Sequence, residues 1–372
     1  MKNISRPQQA TIITLATIII FGGGGVFFSR IFFLTKKTRA QTTPIPVTAN
    51  SPSSQAPDLN LVTTHPLTGL PWPPAPNQGW PESPTSTRPF AVVIDNAPEA
   101  RPQWGISSAD IVYDTLVEGG ITRLVALFSS KKASKIGPVR SARPYFIRQA
   151  QDPHAIFVHS GGSTHALDAL ALGIPRVTDL NEFSHGAYFW RTNASAPHNL
   201  YTSTDQLVEA AHTRGYSLKF TATPRWHFST STMPDLPTTT KASIPHRLPT
   251  SEVSYTYNHG TASYDRFAGG RAHKDAGNNA PISPKNVIFE FHAKKEIDDP
   301  HHLGLVDFWY EGNGAFIALT AGIRIEGTWT RAPDGPTLYT TASGEVLTLS
   351  PGQTFIEVVP ASLRSHVLQS FQ

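Results

Sequence analysis

The pattern of hydrophobic and polar residues predicts a mixed α and β region from Arg88 to about Phe220. Apolar runs bounded by turn residues indicate buried strands at 89–95, 110–118, 121–129 and 155–159. Gly119 and Gly120 separate the second run from the third and predict a tight hairpin. The glycine turn at 160–162 leads into a predicted helix at 163–172, the order typical of α/β units. Ser203 begins a capping-box sequence that predicts another helix, ending near Gly215.

Beyond this region the pattern changes to short strands without helical periodicity. Residues 221–250 contain five prolines among serines and threonines, so we expect an interdomain linker there. Strand-like runs then follow at 253–257, 286–292, 304–310, 314–320, 323–329, 337–341 and 354–359. Their spacing predicts a smaller, mainly antiparallel β domain at 251–362. The predicted fold is therefore an α+β or α/β first domain with a mixed sheet, at 88–220, followed by this second domain.

The first 87 residues differ in composition from the two predicted domains. The uncharged apolar run Ala10–Phe28 is nearly long enough to cross a membrane as one helix, which needs about 20 residues. We expect residues 1–40 to be a membrane anchor with one transmembrane helix. The alternative is a cleaved signal peptide, for which Thr38-Arg-Ala40 is a poor cleavage site. Residues 41–87 are rich in Pro, Thr and Ser and predict an extended stalk.

The overall net charge of +4 comes from the N-terminal segment and not from the rest of the chain. Residues 1–40 hold six basic residues and no acid, so the remainder holds 25 basic against 27 acidic residues, a net charge of −2. This remainder shows no basic stripe and no nucleic-acid-binding module, so we expect no nucleic-acid partner. The sequence contains no cysteine, which excludes disulfides, thiolate catalysis and cysteine-based zinc sites.

Several motifs resemble those of the YerB family, which comprises bacterial surface lipoproteins with two domains of unknown function. In the first half the motifs are Pro66-Leu-Thr-Gly-Leu-Pro71, Arg88-Pro-Phe-Ala-Val-Val-Ile-Asp-Asn96, Ala100-Arg-Pro-Gln103, Val117-Glu-Gly-Gly-Ile-Thr-Arg123, Ile136-Gly-Pro-Val-Arg-Ser-Ala-Arg143, His159-Ser-Gly-Gly162 and Pro197-His-Asn-Leu-Tyr201. In the second half they are Gly327-Thr-Trp329 and Leu349-Ser-Pro-Gly-Gln-Thr354. The resemblance covers about residues 66–361.

This resemblance implies that the domains face outward from a cell membrane, but it supplies no established activity. Members of the family typically carry a lipidated cysteine, and this chain has none. We therefore expect a single-pass protein of the cell envelope, anchored by its N-terminal apolar segment.

The candidate ligand-binding residues are rich in arginine and surround one glycine turn. They are Asp95, Glu118, Arg123, Arg140, Ser141, Arg143, His159, Ser160, Gly161 and Gly162. Arginine binds carboxylate and phosphate through paired hydrogen bonds, and free N–H groups at a helix start also bind anions. If the three arginines converge near the turn, the site prefers an anionic ligand. The alternative is that they pair internally with Asp95, Asp110, Asp114 or Glu118.

Other chemistry has weaker support in the sequence. The histidines show no metal-site spacing, so we expect neither a metal nor a cofactor. Trp309, Tyr310, Trp329 and Tyr339 are compatible with an aromatic binding platform, but aromatic residues in strands more often belong to the core.

The favoured hypothesis is a non-enzymatic envelope protein that binds an anionic envelope ligand or a partner protein. An alternative is a hydrolase or transferase acting on an envelope polymer, with Glu118 or Asp95 as acid or base and His159 near the substrate. A third reading makes the two domains a spacer or assembly platform.

Overall fold

A computed structural model describes residues 64–71, 88–173, 176–220, 225–230, 240–246, 248–297 and 304–372. The predicted membrane anchor at 1–40 and most of the predicted stalk lie outside these residues. Within the described ranges, no helix is long and apolar enough to cross a membrane. Residues 60–372 form one compact unit.

Strands dominate the described part of the chain. In the first half they are β1 Phe90–Asp95, β2 Ile111–Leu116, β3 Thr122–Phe128, β4 Ile156–His159, β5 Thr178–Asn181, β6 Trp190–Arg191 and β7 Leu200–Tyr201. In the second half they are β8 His227–Phe228, β9 Lys241–Ile244, β10 Val253–Asn258, β11 Ser263–Ala268, β12 Arg271–Ala272, β13 Asn286–His292, β14 Lys294–Glu296, β15 Val306–Phe308, β16 Gly312–Thr320, β17 Ile323–Arg331, β18 Leu338–Thr341, β19 Thr348–Leu349 and β20 Thr354–Pro360. The α-helices are α1 Pro144–Gln151, α2 Thr164–Leu172, α3 Glu182–His185, α4 Thr204–Thr213 and α5 Arg364–Ser370.

Ten strands form one mixed sheet in the order β18-β17-β16-β13-β20-β2-β3-β1-β4-β5. Strand β20, near the end of the chain, pairs in parallel with both β13 and β2. The two segments that the sequence pattern separated therefore share one sheet. A second sheet is antiparallel and four-stranded, in the order β12-β11-β10-β9. The predicted mixed sheet and the predicted antiparallel β region are both present.

The central strands of the large sheet are buried on both faces. Alternate residues of a strand point to opposite faces, and in β1 the side chains of Phe90, Val92 and Ile94 join one hydrophobic cluster while Ala91 and Val93 join another. A strand covered on both sides needs a continuous apolar run. This explains why residues 90–94 are all hydrophobic.

The local signals at turns and helix starts give the expected structures. Strands β2 and β3 form the predicted antiparallel hairpin around Gly119 and Gly120. The Ser163 hydroxyl accepts a hydrogen bond from Ala166 N at the start of α2, and Ser203 caps α4 through Gln206 N at 3.2 Å. Helices α1, α3 and α5 were not predicted from the sequence.

Candidate functional site

The candidate residues lie at one edge of the large sheet. Strands β13, β20, β2, β1, β4 and β5 run in the same direction, so their carboxyl ends share an edge, named here the carboxyl edge. Asp95 ends β1, His159 ends β4, and Glu118 follows β2 just beyond its last residue. Ligands of open α/β sheets bind at this kind of edge.

Arg123 lies at the same edge because β3 runs in the opposite direction and begins there. It is opposite Asp95 in the β1–β3 register and is 4% exposed. Its Nη1 donates to the Ser141 carbonyl at 3.1 Å, whereas its Nε has no hydrogen-bond partner. Within the described residues, no carboxylate oxygen lies within 4.0 Å of this guanidinium. Arg123 is thus a buried cation without a direct counterion.

Arg140 and His198 share the Asp95 carboxylate. Arg140 Nε lies 2.8 Å from Asp95 Oδ2, but its N–H is not aligned with that oxygen, so the pair is an ion contact without hydrogen-bond geometry. His198 Nδ1 lies 2.8 Å from the same oxygen. Asp95 itself is 1% exposed, whereas the side chains of Arg140 and His198 are 24% and 21% exposed. The two cationic or polar side chains therefore cover the carboxylate and face solvent.

Arg143 forms a two-pronged ion pair with Glu118. Its Nε and Nη2 donate to the two carboxylate oxygens at 2.6 and 2.7 Å, and Nη1 donates to the Ala142 carbonyl at 2.7 Å. Burial alone would raise the pKa of Glu118, but the hydrogen bonds and charge of Arg143 outweigh it and lower that pKa. Both oxygens of Glu118 are therefore occupied.

The charges of this group do not balance. Burial first, and then the charges of Arg143 and Arg140, lower the pKa of Arg123 to about 10, although the charges of Asp95 and Glu118 act in the opposite direction. We name Asp95, Glu118, Arg123, Arg140 and Arg143 the arginine cluster. It contains three guanidinium groups and two carboxylates. One positive charge is left over, and it lies at an edge where ligands commonly bind.

The positions of the arginines bear on both sequence hypotheses, and binding of an anionic ligand stays a prediction. The structure places Arg123, Arg140 and Arg143 together, and it also gives two of them internal partners. Asp114 is not among those partners, because it pairs with Arg266.

Part of the backbone of the turn after β4 is already hydrogen-bonded inside the protein. Gly161 N donates to Asn181 Oδ1 at 3.0 Å, so its N–H is already used inside the protein. Ser160 Oγ donates to Glu182 Oε2 at 3.0 Å, and Gly162 forms a parallel bridge with Ala142. Gly161 N is therefore not available to an anion, and the predicted backbone anion site loses this donor.

His159 is fully buried and is held from both sides. Its Nδ1 lies 2.7 Å from the Gly161 carbonyl and its Nε2 lies 2.7 Å from Asp179 Oδ1. These two contacts hold the ring between the turn and Asp179. With 0% exposure, this ring orders the turn and does not reach a substrate.

Two contributors to this edge were missed in the sequence, namely His198 and Asn181. His198 lies in the Pro197–Tyr201 motif, so the family resemblance was the available signal. Asn181 caps α3 by accepting from Phe183 N and also accepts from Gly161 N. No local sequence pattern predicts the hydrogen bond from Gly161 N to Asn181, because 20 residues separate the two.

The proposed aromatic platform is mostly core. Tyr310, Trp329 and Tyr339 are 5%, 2% and 1% exposed, whereas Trp309 is 60% exposed. Trp309 borders a cavity of about 270 Å³ that Arg148 also lines. Among the described residues, no group of three or more His, Asp or Glu side chains could hold a metal ion.

Comparisons with known proteins agree with this architecture. The chain matches the families described as "Protein of unknown function (DUF3048) N-terminal domain" over residues 78–217 and "Protein of unknown function (DUF3048) C-terminal domain" over residues 244–356. It is 34% identical over 283 residues to "Putative lipoprotein YerB" of Bacillus subtilis (strain 168), covering 74% of this chain and 82% of that protein. The crystal structure of YerB protein from Bacillus subtilis superposes with a TM-score of 0.68 at 32% identity, covering 80% of this chain and 97% of that chain.

The chain therefore belongs to the DUF3048 family. The resemblance to YerB predicted from the sequence motifs is confirmed.

Proposed function

We propose that this protein is an extracytoplasmic component of the cell envelope that binds an anionic ligand at the arginine cluster. Its relative carries the name "Putative lipoprotein YerB", which supports a location at a membrane surface. The sequence contains no cysteine to carry a lipid, whereas it contains the apolar run 10–28. Attachment through that run as a single transmembrane helix is therefore part of the proposal.

The observation that carries the binding function is the uncompensated charge of Arg123. A buried cation without a counterion is costly, and an incoming anion would offset this cost. Arg123 is too deep to form most of the contacts itself. Arg140 and His198 lie above it and are partly exposed, so they are the side chains that would contact the ligand.

The surroundings of Glu118 and His159 favour a binding function over acid–base catalysis by these two residues. Glu118 accepts at both oxygens from Arg143, and His159 is fully buried. One specific contact nevertheless favours an enzymatic second candidate. Asp95 orients His198 through Nδ1, and this arrangement leaves Nε2 toward the exposed side, as in a general base. A hydrolase or transferase would then use His198.

A calorimetric titration of the full-length chain in detergent tests the proposal. The titrants are soluble cell-wall fragments, lipid phosphates with short acyl chains, and a neutral sugar. We expect saturable binding of an anionic titrant that weakens about tenfold or more in R140Q. The matched control R176Q changes an exposed arginine outside the cluster and should bind as the wild type does.

Two results separate the alternatives. Absence of binding to every anionic titrant, or equal affinity of R140Q and wild type, contradicts the proposed site. Turnover of a wall fragment that is lost in H198Q would instead support the enzymatic candidate.

A further inference from the structure

A second group of cationic side chains, outside the arginine cluster, lines a cavity of about 470 Å³. One wall is formed by the turn Pro98–Pro102 that follows β1, and the opposite wall by the β11–β12 hairpin and the segment just after it. Thr250 closes one side. Ligand pockets for small organic molecules commonly have this size.

The lining carries three cationic side chains and no carboxylate. They are Arg101, Arg271 and Lys274, and the last two are exposed residues with no ion pair among the described residues. Around them the cavity is lined by the small apolar residues Pro98, Pro102, Ala268 and Ala272. The cavity therefore combines positive charge with surface that suits a carbon skeleton.

Arg101 is fixed in place by oxygen atoms that carry no full charge. Its Nε and Nη2 donate to Asn96 Oδ1 and the Asn96 carbonyl at 3.0 and 2.8 Å, and its Nη1 donates to the Thr250 carbonyl at 2.8 Å. These acceptors orient the guanidinium without neutralising it. Burial lowers its pKa, the charge of Arg266 adds to this, and the acids Asp114, Asp95 and Glu99 act in the opposite direction.

The opposite wall is shaped by a tight turn. Gly269 and Gly270 join β11 to β12 with φ angles of +59° and +72°, as two-residue hairpins require. The Thr250 carbonyl lies 2.9 Å from where a Cβ of Gly269 would be, so the turn packs closely against that side of the cavity. This turn places Arg271 directly after it, at the rim.

His273 supports the floor as a neutral ring. Its Nδ1 lies 2.6 Å from Arg266 Nη1, which can only donate, so Nδ1 accepts and Nε2 donates to Gln103 Oε1 at 2.7 Å. Burial and the charges of Arg266 and Arg101 lower the pKa of His273 well below its usual value. Both ring nitrogens are used inside the protein, and the ligand-facing charge comes from Arg101, Arg271 and Lys274.

We propose that this cavity binds a small organic ligand that carries two or more phosphate or carboxylate groups. Three separated cations match more than one anionic group, and the apolar lining would cover the carbon framework between them. The inference uses side chains that do not belong to the arginine cluster.

Calorimetry with the full-length chain in detergent tests this inference. The probes are glucose 1,6-bisphosphate, citrate, inorganic phosphate and glucose. We expect one of the two organic polyanions to bind at least about tenfold more tightly than inorganic phosphate, and glucose not to bind. The bisphosphate and citrate arms distinguish phosphate from carboxylate recognition.

The variants assign the binding to this cavity. R271A/K274A removes two exposed charges and should weaken binding of the organic polyanion about tenfold or more. K131A/R176A removes two exposed charges elsewhere and should leave it unchanged. Failure of both organic polyanions to bind overturns the inference. Equal binding of inorganic phosphate, or equal affinities of R271A/K274A and K131A/R176A, also overturns it.

Discussion

Asp95 Oδ2 lies 2.8 Å from His198 Nδ1, although 103 residues separate the two along the chain. The same oxygen lies 2.8 Å from Arg140 Nε. One buried carboxylate at the end of β1 therefore holds both partly exposed side chains that we assign to ligand contact. The relationship ties the 197–201 segment to the carboxyl edge of the sheet.

Replacing this carboxylate should destabilise the protein. Asp95→Asn keeps the shape of the side chain but leaves Arg140 without its counterion and His198 without its carboxylate partner. We expect the free energy of unfolding, measured by urea denaturation at neutral pH, to fall by about 3 kcal/mol. Asp168→Asn on the exposed side of α2 should change it by less than about 0.5 kcal/mol. Equal effects of the two substitutions would show that Asp95 does not hold the cluster.

Glu118 should make stability depend on pH in the acidic range. Its pKa is lower in the folded protein than the usual 4.5, so the folded state releases this proton more readily than the unfolded state. The resulting stabilisation is present above the unfolded pKa and is lost as the pH falls through the folded pKa. In urea denaturation from about pH 6 to about pH 3, Glu118→Gln should lose less stability than wild type. Glu252→Gln, an exposed control, should follow wild type.

Glu357 should make stability depend on pH in the opposite sense, so that stability falls as the pH rises. Burial, and then the charge of Asp114, raise the pKa of Glu357 from 4.5 to about 8. Between these values the folded state keeps a proton that the unfolded state has released, so the unfolding free energy falls as pH rises toward about 8. The slope from this group is at most about 1.4 kcal/mol per pH unit. Glu357→Gln should flatten the profile between about pH 5 and about pH 8, and an unchanged slope would contradict the assignment.

Arg123 and Arg143 should differ in their contribution to stability. Arg123→Met removes a buried charge that has no counterion, so the unfolding free energy should stay within about 1 kcal/mol of wild type or rise. Arg143→Met leaves Glu118 without its ion pair and should cost about 3 kcal/mol. Thermal or urea unfolding of the two variants measures the difference. A large loss in Arg123→Met would mean that its charge is compensated in solution.

Much of the local structure could be predicted because its causes are local. Gly119 and Gly120 lie between two apolar runs, and β2 and β3 form the hairpin that this pattern indicates. Ser203 lies three residues before Gln206, and its hydroxyl caps α4. Burial of Tyr310, Trp329 and Tyr339 likewise agrees with the usual position of aromatic residues in strands.

The pairing of distant strands could not be predicted from these patterns. The run 354–359 signals a buried strand, but nothing in its periodicity says that β20 lies between β13 and β2. The fully buried contact of Arg266 with Asp114 has the same origin, because it joins residues 152 positions apart. Such contacts depend on the assembled sheet.

The arginine cluster contains contacts that the sequence predicts and contacts that it does not predict. Arg140 and Arg143 are three residues apart, so their proximity was expected, whereas Arg123 reaches them through its register with Asp95 in β1. The Gly161 N–H failed as an anion donor because Asn181, on the neighbouring strand, already accepts from it. The sequence of a glycine-rich turn does not show whether a distant side chain already accepts a hydrogen bond from the turn.

The most direct test of the anion-binding account is the affinity for inorganic phosphate of the full-length wild type and Arg123→Met, measured by calorimetry at low ionic strength in the R271A/K274A background. Arg123 supplies charge beneath the contact residues, so we expect phosphate to bind and the affinity to fall at least about fivefold on Arg123→Met, with a difference that shrinks as salt is added. Equal affinity of the two proteins, with both folded, would contradict the claim that the uncompensated charge of Arg123 creates the site.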